Sequence, residues 1–288
     1  MTKGKQMNRN VFAIILIFML QFTSFNAVAS IEKPSFKEIF LEHKDNVSDK
    51  WENYLDIYQI YLEPIIGKNA SILEIGVQNG GNLQILKKYL HNAKIYGIDI
   101  NEDICKEVLD KEIKTFCFDA TKKNLISQNL KDLTFDVIID DASHISQDVI
   151  QTFEFMFSKV NPGGLYIIED MHTSYWKEFN GGYKVASSQI EYFKNLVDLL
   201  NTYHIKADNV NNSNDNNYFY NQLSDGQKEM LRWIRSITFY DSVAVITKFK
   251  TPRTDSPYAR IVVGTKQPIV PIIDIAKLNG WYYEESNK

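Results

Sequence analysis

Two acidic pairs in this chain each close an apolar run: Asp140 and Asp141 in "IIDDASHISQDV" (138–149), and Glu169 and Asp170 in "YIIEDMHTSYW" (166–176). A turn of Gly, Asn and Ser would end a strand without charge, and crowded carboxylates are costly unless a partner compensates them. The compensating partner is therefore expected to be a bound cation or a cationic ligand. An all-oxygen cluster suits Mg²⁺, Ca²⁺ or Mn²⁺ rather than Zn²⁺. N-capping and solvated loops are the plainer reading of the same acids. His144 follows Asp141 by three residues. A neutral imidazole with a pKa near ~6.5 suits removal of a proton from a hydroxyl that a metal has made more acidic. His144 is thus the candidate general base, with His172 as a competitor for that role. His172, Tyr175 and Trp176 are assigned to an acceptor pocket, where aromatic rings suit the apolar faces of a sugar or a polyketide.

Elements that converge are needed to bring these residues together. Short apolar runs, "SILEIG" (71–76), "KIYGIDI" (94–100), "KTFCF" (114–118), "FDVIID" (135–140) and "GLYIIE" (164–169), alternate with amphipathic stretches. That alternation predicts βαβ units and a parallel sheet. Adjacent strands lie about 4.8 Å apart and ligands sit outside their carboxyl ends, so all four acids are expected to face one crevice. Val149, Phe153, Met156 and Val160 predict one helical face before the fifth strand, with "NPGG" (161–164) ending that helix. Residues 31–66 read as a helical lead-in, from Phe36, Ile39, Phe40, Trp51, Tyr54, Leu55, Tyr58, Tyr61 and Leu62 at spacings of three and four. Helices are further expected at 187–204 and near 222–235. Two strands joined by a tight turn at Asp241 and Ser242 are expected in 236–249, and the Asn-rich tract 207–217 reads as a solvated loop.

The first strand runs into "LEIGVQNGGN", which places Glu74, Gly76, Gly80 and Gly81 across a strand-to-helix junction. Glycines let a backbone turn tightly and approach a ligand at a helix N-terminus. The spacing departs from GxGxxG, and Glu74 fits a cationic ligand better than a phosphate. Asp99 closes the second run, where an acid can take the hydroxyls of a ribose. Asp119 follows the third, within reach of an adenine edge. In this order, with Asp140 beside them, they describe an S-adenosylmethionine pocket of the class I methyltransferase type.

The 288 residues, 44% hydrophobic and 13% aromatic, are ample for a packed core. A formal net charge of -4 without a basic stripe excludes nucleic acid as an expected partner. Cys105 and Cys117 lack CxxC spacing, so both are expected to be small core residues rather than a metal or disulfide framework. Lys3, Lys5 and Arg9 precede the apolar run Val11 to Leu20, and Ala27-Val28-Ala29 offers a cleavage site. Residues 1–29 thus read as a signal peptide or membrane tether, with membrane association through residues 11–29. The same segment also reads as a start placed too early, in which case Met19 begins a cytoplasmic chain. The expected organisation is 1–29 as leader, 30–66 as helical lead-in and 67–288 as the donor-binding domain.

The segments "LEIGVQNGGNL", "IYGIDI", "FDVIIDDASH" and "NPGGLYIIEDMHTSYW" together resemble the metal-dependent sugar O-methyltransferases that act on macrolide antibiotics such as mycinamicin. "SDKWENYLDIY" (48–58) and "GGYKVASSQIEYFKNLVDLLN" (181–201) are similar to segments of methyltransferases of surface-polysaccharide biosynthesis. The resemblance covers roughly residues 48–250. It implies a doubly wound, mostly parallel, seven-stranded Rossmann-like methyltransferase sheet of α/β class behind the helical lead-in. It implies S-adenosylmethionine as donor, Mg²⁺ or another oxygen-preferring cation held by Asp141, Glu169 and Asp170, and His144 as base. The acceptor it implies is a glycan or a glycosylated small molecule, and it leaves a monomer and a homo-oligomer both open. The chain departs from the macrolide enzymes in being too short for their additional N-terminal domain and in carrying His172 where they have tryptophan. Two alternatives accompany this reading: an iron-dependent hydroxylase of the same fold using His144 and His172 beside the acids, and a non-catalytic exported binding protein.

Overall fold

Five apolar runs become the parallel strands of one sheet in the computed structural model, which describes residues 33–107, 112–202, 220–221, 223–254, 258, 261 and 263–264. They are β1 (Ser71–Ile75), β2 (Lys94–Asp99), β3 (Ile113–Cys117), β4 (Phe135–Asp140) and β5 (Val160–Ile168). Two more strands, β6 (Ile234–Phe239) and β7 (Ala244–Lys248), complete a seven-stranded sheet of order β3-β2-β1-β4-β5-β7-β6. β1 to β5 pair in parallel, while β7 lies antiparallel to both β5 and β6. Ile72, Leu73, Val137, Ile138, Ile139 and Ile167 are buried on both faces of the central strands, which is why these strands read as unbroken apolar runs rather than as alternation.

Helices cover both faces. The lead-in forms α1 (Phe36–Leu41) and α2 (Glu52–Leu62), separated by a non-helical strap, and it packs on one face of the sheet with α3 (Gly81–Tyr89). Phe36 stacks on Tyr58 and meets Tyr89 edge-on. The opposite face carries α5 (Lys123–Leu130), α6 (Ser146–Met156), α7 (Gln189–Leu200) and α8 (Asp225–Trp233), whose core centres on Phe153, Tyr166 and Phe193. The short α4 (Glu102–Glu107) lies between β2 and β3. By internal contacts the chain separates into Met1–Ser35 and Phe36–Lys288, and every element named here belongs to the second unit. The leader, residues 1–29, and the Asn-rich tract lie outside the described residues. Among the described residues no helix is long and apolar enough to cross a membrane.

The structure corrects two expectations. "NPGG" does not end the α6 helix. It lies inside β5, where Val160 pairs with Phe135 and Leu165 with Val137, so the residues between them are accommodated as a bulge in the ladder. Cys105 and Cys117 are joined as a disulfide, with Cα atoms 6.0 Å apart and Cys117 exposed rather than in the core. The β2–β3 crossover brings α4 beside the end of β3, so residues without motif spacing reach bridging distance.

Candidate functional site

The order of strands reverses direction between β1 and β4, and the turns leaving these two strands diverge around a crevice of about 670 Å³. Gly76, Asp99, Asp119, Asp140, Asp141 and His144 line it. A second crevice of about 360 Å³ lies against Lys50, Trp51, Glu169 and His172. Asp49, Asp141 and Asp170 line both, so the strand-end acids stand where the two meet.

On the larger crevice, Gly76 adopts φ +83°, and a Cβ there would lie 2.3 Å from the carbonyl oxygen of Asp141. Glycine is therefore required by the approach of the β4 turn to the β1 turn. Gly80 caps α3 in the left-handed region, and Gly81 admits the strap, since its Cβ would meet the Val47 carbonyl at 2.2 Å. Asp99 accepts the amides of Val77 at 3.1 Å and Asn101 at 2.9 Å, which fixes the carboxylate at the rim. Asp119 accepts the Thr121 amide and hydroxyl; although partial burial opposes it, these bonds and Lys122 hold its carboxyl below the usual range. Asp140 is buried, accepts the Tyr166 hydroxyl at 2.8 Å, and is pushed by burial up to about 7. Glu74 is buried beneath the crevice, bonded to Asn82 at 2.6 Å.

At the junction, one ligand atom each from Asp141, His144 and Asp170 lies within 4.8 Å of the others. His144 Nε2 stands 3.4 Å from Asp170 Oδ2 and 3.8 Å from Asp141 Oδ1. Its backbone has φ 56°, and its carbonyl accepts the Thr173 hydroxyl, which ties the β4 turn to the β5 turn. Burial lowers the His144 pKa, favouring the neutral ring that either a base or a ligand requires. Asp170 is likewise in the left-handed region, at φ 52°, with its carboxylate accepting the Tyr54 hydroxyl at 2.7 Å.

Glu169 stands apart from that triad. Its Oε1 accepts the Tyr58 hydroxyl and its Oε2 accepts Lys50 Nζ at 2.8 Å. Lys50 also bonds Asp141 Oδ2 and lies 3.8 Å from Glu74 Oε1. Burial disfavours the charged ammonium, yet Glu169, Tyr58, Asp141 and Glu74 together keep its pKa well above the ordinary value. Burial pushes Glu74, Asp141 and Glu169 up to about 7 against the pull of Lys50. One lysine does not neutralise three clustered carboxylates, two of them fully buried, so the cluster resists full ionisation.

The smaller crevice has an aromatic rim. His172 meets Trp51 at 5.7 Å and Trp176 at 4.7 Å between ring centroids, both edge-on, and its Nδ1 contacts Ser242 Oγ at 2.5 Å. Trp51, Tyr175 and Trp176 remain about half exposed. His172 does not join the triad, so a two-histidine, one-carboxylate arrangement is not assembled among the described residues.

Rather than facing one crevice, the four strand-end acids divide: Asp140 lines the larger, Glu169 the smaller, and Asp141 and Asp170 both, while Lys50, Tyr54 and Tyr58, to which the sequence reading gave no role, bond the acids between them. A signal was present: Tyr54 and Tyr58 recur on the buried face of α2, and a buried tyrosine hydroxyl requires a partner.

Strand order with an antiparallel seventh strand, an acid at the end of each of the first strands and a glycine turn after β1 define a class I methyltransferase fold. The chain belongs to the methyltransferase-domain family, whose profile matches residues 66–236. It is 33% identical over 168 residues to the 8-demethyl-8-alpha-L-rhamnosyl tetracenomycin-C 2'-O-methyltransferase of Streptomyces olivaceus, covering 53% of this chain and 43% of that protein. It is 30% identical over 162 residues to the mycinamicin VI 2''-O-methyltransferase of Micromonospora griseorubida, covering 52% and 40%. The matches thus span less than half the length of these curated relatives. Among solved structures, the MycE methyltransferase from the mycinamycin biosynthetic pathway, in complex with Mg, SAH and mycinamycin VI, is similar with a TM-score of 0.62. The two share 26% identity over 76% of this chain and 54% of that one.

Proposed function

We propose that this chain transfers a methyl group from S-adenosylmethionine to a sugar hydroxyl of a glycan or glycosylated small molecule, with a divalent cation at the junction of the two crevices. The observation that carries the reading is the meeting of a donor-type crevice with an aromatic-rimmed one at Asp141, His144 and Asp170. The MycE structure, which holds Mg, SAH and mycinamycin VI, supports it. When bound, the donor would supply an electrophilic methyl carbon and the ion would lower the pKa of a hydroxyl beside it. Asp141 and Asp170 offer the carboxylate oxygens that Mg²⁺ or Mn²⁺ prefers and would hold the ion beside His144.

The chain's own residues do the rest. Asp99 and Asp119 stand where ribose hydroxyls and an adenine edge would bind, with Gly76 and Asp140 on the wall between them and the junction. Trp51, His172 and the adjoining Trp176 offer ring faces and edges to an acceptor sugar. His144 accepts the acceptor's proton on Nε2, and Asp170, 3.4 Å away, stabilises the imidazolium that results. In-line placement of oxygen, carbon and sulfur supplies much of the acceleration, and proton removal adds about 10²- to 10⁴-fold.

Calorimetric titration of S-adenosylmethionine and then Mg²⁺ tests the reading in the wild type, Asp141→Ala and His144→Ala. Donor binding in all three, with Mg²⁺ binding lost in Asp141→Ala, is expected. His144→Ala should lower turnover on a glycan acceptor with a free sugar hydroxyl while leaving donor affinity intact. A well-folded wild type that binds no donor would refute the enzyme reading.

A further inference from the structure

Lys50 is a buried charged group in this region that the proposed reaction does not use. Its side chain is 3% exposed, and its Nζ reaches carboxylates from three strands: Glu74 near the end of β1, Asp141 after β4 and Glu169 after β5. Both oxygens of Glu169 are occupied by the chain's own donors, Lys50 and Tyr58. One oxygen of Asp141 is occupied as well, leaving Oδ1 toward His144. The set expected from sequence, Asp141, Glu169 and Asp170, therefore differs from the set that geometry assembles, Asp141, His144 and Asp170. What separates them is the position of one ammonium.

We propose that Lys50 is an internal cation that competes with the divalent ion for Asp141 and Glu169. Its withdrawal exchanges Glu169 for His144 in the ligand set. The inference rests on the metal-assisted methyltransferase reading above. An ammonium and a dication cannot both sit against the same desolvated carboxylates without strong repulsion. The structure offers the ammonium a second position: Glu74 Oε2 is buried and has no hydrogen-bond partner among the described residues, and Glu74 Oε1 already lies 3.8 Å from Nζ. With Lys50 drawn toward Glu74, Glu169 becomes free to hold an ion, and His144 is released from ligation to accept a proton. Lys50 is accordingly a positioning residue, deciding which of two roles His144 fills.

The test is calorimetric titration of MgCl₂ into the full chain as wild type, Lys50→Gln, Lys50→Met and Glu169→Gln, with S-adenosylmethionine titrated into each preparation. Removing the competing charge should tighten Mg²⁺ binding about ten- to a hundredfold in both Lys50 variants, the equivalent of one charged hydrogen bond, and leave donor affinity unchanged. Glu169→Gln should weaken Mg²⁺ binding, since Glu169 is a ligand once Lys50 has moved. Unchanged or weaker Mg²⁺ binding in the Lys50 variants overturns the competition. Should those variants fail to fold, Glu169→Gln decides alone, and unchanged Mg²⁺ affinity in it overturns the exchange. Loss of donor binding in the wild type would instead strike the methyltransferase reading itself, so the two failures are separable.

Discussion

Removing the hydroxyl of Tyr54 should damage the metal site from the side the ion never touches. The ring is 1% exposed, and its hydroxyl donates to Asp170 Oδ1 at 2.7 Å, accepts the Asp170 amide at 3.1 Å and lies 2.8 Å from Ser242 Oγ. Asp170 needs that support because it is a non-glycine residue at φ 52°, a conformation that costs about 1–2 kcal/mol. Tyr54→Phe keeps the ring and its packing, so only the bonds are lost. The Asp170 carboxylate is 23% exposed and can recover a water, but the amide loses its acceptor, which sets the loss near one hydrogen bond, about 1–2 kcal/mol. Removing an outer partner of a ligand typically weakens metal binding roughly 10- to 100-fold. Urea denaturation without metal and Mg²⁺ titration by calorimetry read the two effects separately. A stability loss below about 0.5 kcal/mol together with unchanged Mg²⁺ affinity would refute the reasoning, since that is the range of an inconsequential surface change.

Gly76→Ala should destabilise the fold by about 2–5 kcal/mol and abolish donor binding, because its Cβ at φ +83° collides with the Asp141 backbone; a variant of near-wild-type stability would show that the β1 and β4 turns do not meet as described. The Asp140 carboxyl, raised by burial from 3.8 to about 7, contributes stability that is complete below its unfolded pKa and is lost as pH rises through about 7. Denaturant midpoints of the metal-free protein should therefore fall between about pH 5 and about pH 8, and Asp140→Asn should flatten that decline; an equal slope in the variant would assign it elsewhere. Cys105 and Cys117 should resist maleimide labelling in the denatured protein until a reductant is added, and labelling without one would contradict the disulfide.

The strands were legible because β1, β4 and β5 are buried on both faces and leave unbroken apolar runs, and the acids at their ends could be placed because parallel strands deliver their carboxyl ends to one side. The bulge at "NPGG" was not legible, since Pro and Gly mark a break without saying whether it falls before a strand or within one. The disulfide was hidden because the bridging distance is set by how the α4 crossover folds back. Lys50, Tyr54 and Tyr58 were hidden for a related reason. They meet Asp141, Asp170 and Glu169 across 91, 116 and 111 residues, and no local pattern specifies the register of α2 against the sheet.

That last group changes where the functional unit begins. The family profile starts at residue 66, yet the groups that compensate the acids come from residues 50–58, ahead of it. Glu74 and Glu169 are 1% exposed, and without Lys50 they would be buried charges with no cationic partner, an arrangement that costs several kcal/mol or forces protonation. Gly81 records the same dependence from the other side, because only a residue without Cβ lets the strap before α2 lie against α3. The acidic crevice and the segment that neutralises it are therefore one physical unit. A domain cut at residue 66 would keep most of the atoms expected to touch donor and ion while losing the charge that holds them in place.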